Sequence, residues 1–382
     1  MLYRTRVICA VVCSLTAGVA AWGEVAASRP ASQKSEPIRM LEIGAAAPDF
    51  DLPGVDGKRY RLNDFAEAKV LVIVFTCNHC PTAQAYEERI KKLTADYQDK
   101  GVALVAISPN DPLAVRLDEL GYTDLNDSFE EMKIRAEHKE FNFPYLYDGE
   151  TQEVSRRYGP PATPTVYIFD AKRRLRYVGR VDDSEREERI KSKDARNAID
   201  ALLAGQPVAV AKTRMFGCST KWSDKRDTVV QAMKKLAAEP VSLDGVDLKD
   251  LKEVMAGKAE KLRLVNFWAT WCGTCVAEFE EFVTMSRMYR HRGFEFISVS
   301  LDDPEKKPEA LAFLKRQEAS NRNLLVEGAD PYEVIEAVDV EWNGALPYTT
   351  LVDREGKVIY RRMGPIDPLK VRREIVKALG GR

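Results

Sequence analysis

Four cysteines of this 382-residue chain stand in two pairs of equal spacing, Cys77 and Cys80 in VIVFTCNHCPTAQ and Cys272 and Cys275 in VNFWATWCGTCVAE. Two thiols at i and i+3 can close to a disulfide or open to a dithiol. Each pair follows an apolar run and precedes a helix-like one. A strand that feeds a helix at this point aims the first sulfur at unpaired backbone N–H groups and at the positive end of the helix dipole. Cys77 and Cys272 are therefore the expected nucleophiles, with Cys80 and Cys275 as resolving thiols. The chemistry on offer is exchange: a thiolate attacks a disulfide sulfur, a mixed disulfide forms, and the second thiol resolves it.

The residues between the sulfurs differ. His79, beside Cys80, can stabilise a thiolate by charge and hydrogen bonding, whereas Gly273 and Thr274 bring no charge. A pair whose reduced form is stabilised is the stronger oxidant, about 30 mV for ~1.4 kcal/mol. The first pair is thus expected to be the more oxidising, with electrons passing from Cys272/Cys275 to Cys77/Cys80. Trp268 and Trp271 flank the second pair, and both are expected to shape its substrate surface.

Other uses of these residues fare less well. A zinc site from both pairs would need them about 15–20 residues apart, and they lie far beyond that. Haem attachment requires His directly after the second Cys, where Pro81 and Val276 stand. Copper(I) held by Cys77, His79 and Cys80 suits soft ligands and stays open as an alternative. The expectation is no resident metal and no cofactor beyond the redox-active disulfides. Cys218, alone in FGCSTKW, is either an ordinary half-buried thiol or a relay between the two pairs.

Lys plus Arg total 58 against 59 for Asp plus Glu, so the chain has no excess charge to attract nucleic acid. Hydrophobic content of 45% with 31% charged residues is that of a globular protein with real cores. The N-terminus reads MLYRTR, then VICAVVCSLTAGVAAW, then small residues before Ser28, the pattern of a secretory signal. The apolar stretch is shorter than the roughly 20 residues of a membrane span, so membrane association is expected only if the signal stays as an uncleaved anchor. Cys9 and Cys13 would leave with it. The expected location is the periplasm or the exterior, where disulfide exchange matters most. The expected partners are protein dithiols and disulfides, together with a membrane thiol reductant.

Two similar series of elements must position the pairs. VLVIVF (70–75) reads as a buried strand and AQAYEERIKKLTADYQ as the helix after the first pair; GVALVAISPN, TPTVYIFD and RLRYVGRV are further strands, and KDARNAIDALLAG is a closing helix. LRLVNFWAT, the helix VAEFEEFVTMSRMYRHRG, FEFISVSLDD, PYTTLVD, KVIYRRM and PLKVRREIVKALGG repeat that order. Each half opens a late strand with an X-Pro, Thr163-Pro164 and Leu346-Pro347. A cis peptide there, facing the cysteines, would let the backbone hold a substrate strand. The expected division is a signal over 1–27, a flexible lead over 28–40, a first domain over 41–215, a linker with Cys218 and a helix over 216–240, and a second domain over 241–382.

These motifs carry a resemblance. Residues 42 to 183 resemble the redoxin branch (AhpC/TSA-like) related to peroxiredoxins, through IGAAAPDFDLPGVDGK, FTCNHCPT, NFPYLYDGETQEVSRRYG, TPTVYIFD and YVGRVDD, with FGCSTKW as a tail motif. Residues 246 to 380 resemble the TlpA/ResA-like thiol-disulfide oxidoreductases, through NFWATWCGTCVAEF and LPYTTLVDREG. The resemblance implies an α/β fold class, two tandem thioredoxin-like folds each with a central mixed sheet flanked by helices. It also implies thiol-disulfide oxidoreductase activity and, for Glu278, the place of a proton-relaying Glu. Cys80-Pro81-Thr82 is similar to a peroxidatic motif, but Cys77 stands where those enzymes carry a Thr. Thiol peroxidase activity at the first domain, recycled by the second, is accordingly an alternative. Glu280 replaces a helix-kinking Pro, and the helix is expected to form regardless.

Overall fold

The computed structural model describes residues 37–380. The expected signal and most of the lead lie outside the described residues. Residues from Ile38 onward form one compact unit containing two large sheets and two small two-stranded ones.

The first sheet runs Tyr145–Tyr147, Val102–Ser108, Val70–Phe75, Thr165–Phe169, Leu175–Gly179. Val70–Phe75 is central and buried at every residue, as a strand covered on both faces must be, and this is why VLVIVF reads as a continuous apolar run. It pairs parallel with Val102–Ser108 and antiparallel with Thr165–Phe169. The second sheet runs Asp244–Val246, Arg322–Val326, Phe294–Ser300, Leu262–Trp268, Tyr348–Val352, Val358–Met363. Its first four strands are parallel and its last two antiparallel. Helices cover both sheets, so each half is a thioredoxin-type fold.

Register brings each prolyl loop beside its cysteines. Phe75 lies opposite Thr165 and Phe267 opposite Tyr348, so the chain just before each late strand returns along the end of the central strand. Both Thr163-Pro164 and Leu346-Pro347 are cis. Gly273–Tyr289 is a continuous helix with Glu280 inside it.

The two halves touch. Val115 and Leu120 of the first pack into the same apolar cluster as Met288 and Tyr289 of the second. Tyr289 donates its hydroxyl to the Thr123 carbonyl at 2.8 Å, and Arg292 donates to the Gly121 carbonyl at 2.8 Å. Asp124 accepts from both Arg135 of its own half and Arg373 of the other. Among the described residues, no helix is long and apolar enough to cross a membrane.

Candidate active site

At the second pair the first cysteine stands at the helix N-terminus, where the sequence places it. Cys272 caps the helix Gly273–Tyr289, its sulfur accepting from the Cys275 N–H at 3.3 Å, and the two cysteines form a disulfide. Trp268, expected at the substrate surface, is instead a core residue, fully buried against Phe279 and Phe313 with ring centroids 5.0 and 4.9 Å away. Trp271 is 66% exposed beside the disulfide, the rim aromatic a substrate would meet. Asp302, which the sequence reading missed, accepts from the Thr270 N–H and hydroxyl and so pins the turn that presents Cys272. Glu278 is half-buried, accepts from the Ile366 N–H at 2.8 Å, and burial pushes its carboxyl up to about 7.

The first pair is built differently. Its helix, Pro81–Tyr97, begins one residue after Cys80, so the second cysteine is the one at the helix N-terminus. Pro at the first helical position stops the helix from starting earlier with its own N–H donors. Cys77, the expected nucleophile, lies upstream of the cap, buried, with its sulfur 3.0 Å from Thr163 Oγ1. Burial pushes the Cys77 thiol up. The Cys80 thiol is held far below the usual range by the Cys218 and Cys77 thiols, which overcome the cost of burial, with the Cys218 and Ala83 backbone N–H groups assisting. The more acidic thiol of this pair is thus Cys80, not Cys77 as the sequence suggested.

His79 acts on Cys80 through charge, as expected, but its ring hydrogen-bonds elsewhere. Its Nδ1 pairs with Asp127 Oδ2 at 2.5 Å and lies 3.6 Å from the Cys77 sulfur. Burial opposes a charge on the ring, but Asp127 outweighs it and raises its pKa. Asp127 also accepts from the backbone N–H groups of Asn78 and His79 and from the Asn110 side chain. It does for the first turn what Asp302 does for the second, and the sequence reading missed it too. Both acids follow the second strand of the central three, a position that composition alone does not mark.

Cys218 lies within this site. Cys218–Ser219 pairs antiparallel with Ala162–Thr163, Cys218 opposite Thr163 next to the cis-proline. Its N–H donates to the Cys80 sulfur at 3.2 Å, and its thiol packs against Cys77 and Cys80. The segment expected to be a linker thus supplies part of the first site at Cys218, with the expected helix following at Arg226–Ala237.

Cys77, His79 and Asp127 offer ligand atoms within 4.8 Å of one another. A metal there would have to break the buried His79–Asp127 pair, and a carboxylate is a poor match for the soft copper(I) expected from Cys77, His79 and Cys80. The arrangement suits thiol chemistry better than metal holding.

Comparison with known proteins agrees with the geometry. The AhpC/TSA family matches residues 43–178, and the Redoxin family matches residues 231–379. The thiol:disulfide interchange protein HelX of Rhodobacter capsulatus is 30% identical over 48% of this chain and 82% of its own length. The thiol:disulfide interchange protein DsbE of Allochromatium vinosum is 34% identical over 32% of this chain, which spans only 62% of that relative's length. The crystal structure of a conserved protein from Geobacillus kaustophilus is 41% identical, covering 48% of this chain and 94% of that one, with a TM-score of 0.43. By its two matched segments and its similarity to HelX, the chain belongs to the thioredoxin-fold family of thiol:disulfide interchange proteins, an AhpC/TSA-type half followed by a redoxin-type half.

Proposed function

We propose that the chain is an extracytoplasmic thiol-disulfide oxidoreductase that exchanges disulfides with protein substrates through two dithiol sites, Cys77/Cys80 and Cys272/Cys275. The observation that carries this reading is that each pair lies at the N-terminus of a helix, beside a cis-prolyl loop in an adjoining strand. The attacking thiolate is Cys80 at the first site and Cys272 at the second. It displaces one substrate sulfur, forms a mixed disulfide, and is released by its partner thiol, Cys77 or Cys275. Extracytoplasmic action rests on the signal-like N-terminal sequence, and a membrane thiol reductant is the natural electron source there.

The difference in potential between the pairs is part of the proposal, since a stabilised Cys80 thiolate makes the first pair the stronger oxidant. Direct contact between the pairs is not. The second dithiol helix has 17 residues, about 25 Å at 1.5 Å per residue. Its Tyr289 end meets the first half at Thr123. In this reading electrons pass from Cys272/Cys275 to Cys77/Cys80, by way of a substrate or a second molecule. The test is equilibration of the protein and its Cys77→Ala/Cys80→Ala and Cys272→Ala/Cys275→Ala variants with glutathione or dithiothreitol. The expected result is two reversible couples, the first higher by some tens of millivolts. Pairs that never change redox state would sink the proposal.

A second reading, thiol peroxidase activity at Cys80, is favoured by its place at the helix N-terminus just before Pro81-Thr82. Rapid hydrogen peroxide consumption lost in Cys80→Ser would support it.

A further inference from the structure

The first site holds three sulfurs, and they differ in access. Cys77 and Cys80 are 3% and 0% exposed, while Cys218 is half-buried and reaches the surface. Cys80 lies between the other two: its sulfur accepts from the Cys218 N–H, sits 3.3 Å from the Thr163 carbonyl, and packs against both neighbouring thiols. The chain is shaped for this approach. A Cβ on Gly217 would fall 2.0 Å from the Thr163 carbonyl oxygen, so only glycine lets the strand carrying Cys218 lie against the cis-prolyl loop. Of the three residues Cys218 is the one that reaches the surface, so it offers a bulky protein thiol a shorter path to the site than the buried Cys80 does.

We propose that Cys218 is the third redox thiol of the first site, forming a disulfide with Cys80 that passes oxidation between the buried Cys77/Cys80 pair and protein dithiols at the surface. The inference rests on the proposed oxidoreductase function. From the oxidised pair, the Cys218 thiolate attacks the Cys80 sulfur. The Cys80–Cys218 bond forms, the Cys77–Cys80 bond breaks, and Cys77 leaves with the electron pair and takes up the proton Cys218 lost. A thiolate of an outside protein dithiol then attacks Cys218, the accessible sulfur, and Cys80 departs as thiolate from the helix N-terminus. The better leaving group is thus the buried one and the attacked sulfur the exposed one, the arrangement that speeds exchange. The partner's second thiol attacks its own mixed disulfide, releasing Cys218 as a thiol and the partner as a disulfide. Two electrons have moved from the partner to the site.

The test is non-reducing peptide mapping of the whole protein after oxidation with hydroxyethyl disulfide, acid quenching and alkylation. The expected result is a Cys80–Cys218 linkage beside Cys77–Cys80 in the unmodified chain, and Cys80–Cys218 as the main product in Cys77→Ser. In Cys218→Ser, reduction of the oxidised first site by a reduced thioredoxin-type protein should slow at least about tenfold, while reduction by dithiothreitol changes less. A Cys77–Cys80 linkage with no trace of Cys80–Cys218 would overturn the relay and leave the proposed function standing. Absence of both linkages would overturn both. An unchanged rate in Cys218→Ser would overturn the relay without any demand on the Cys77→Ser fold.

Discussion

Asp127 Oδ2 and His79 Nδ1 meet at 2.5 Å with both side chains buried, so the imidazole beside the first cysteine pair is held by a carboxylate from the loop after the neighbouring strand. Removing one partner of a buried pair leaves the other charge uncompensated, at about 3–5 kcal/mol. Asp127→Asn keeps Oδ1 for the Asn78 and His79 N–H groups and removes the charge, together with the Oδ2 acceptor that Asn110 and His79 share, so the pH dependence of its cost, not its size, reports the ion pair. His79 has a raised pKa, so the pair's contribution is complete below the free imidazole's range and fades as pH rises through the folded value. Denaturant unfolding from pH 5 to pH 9 should show a gap between the protein and Asp127→Asn that is largest at the acid end. A gap constant with pH would mean that His79 carries no charge.

The identity of the reactive sulfur at the first site follows from the cap. Cys80, not Cys77, ends the strand-to-helix turn and is held below the usual thiol range, chiefly by the Cys218 thiol. With Cys272/Cys275 oxidised, thiolate absorbance near 240 nm should persist below pH 7 and vanish in Cys80→Ser. Cys77→Ser should retain it. Signal that disappears in Cys77→Ser and survives in Cys80→Ser would reverse the assignment.

That shift of register shows where the sequence was legible and where it was not. Val70–Phe75 and Leu262–Trp268 announced themselves because strands buried on both faces are apolar throughout, and the cis-prolyl positions because proline nearly monopolises such bonds. The Cys-X-X-Cys spacing was equal in the two halves, yet the helix starts at Gly273, just after the first cysteine, in one and at Pro81, just after the second, in the other, a difference of about one turn that only the cap geometry fixes. Arg322–Val326 and Asp244–Val246 went unread because short parallel strands beside a helix carry too few residues to show a period. Asp127, Asp302 and the place of Cys218 depend on contacts between residues far apart in the chain, to which periodicity is blind.

Contact between the halves predicts shared stability. Tyr289 is fully buried, and its hydroxyl satisfies the Thr123 carbonyl across the boundary. Tyr289→Phe should cost about 1–2 kcal/mol, since it strips a buried acceptor of its donor. Because Val115 and Leu120 sit in the second half's cluster, calorimetry should show the two halves melting in one transition that moves as a whole in this variant. Two separate transitions, only one of them displaced, would show that the contact does not couple the halves.

Glu278 adds a second pH dependence of the same direction as the His79 pair, in the other half, since its folded pKa is also raised. Its Oε1 is buried without a partner while Oε2 accepts from the Ile366 N–H, so the half-buried carboxyl resists ionisation and titrates at about 7. An acid whose folded pKa lies above its unfolded value binds more protons folded than unfolded between the two, so stability falls as pH rises from about 4.5 to about 7 and then levels. Glu278→Gln keeps an acceptor for Ile366 and cannot ionise. Relative to this variant, the protein should be about equal below pH 4.5 and less stable by about 1–2 kcal/mol above pH 7, the figure being reduced for solvent screening. If Glu278 also moves protons for Cys275, which precedes it by three residues on one helix, the same variant should flatten the pH dependence of disulfide reduction at the second site near pH 7. A flat stability difference across this range would show that the carboxyl ionises freely in the folded protein.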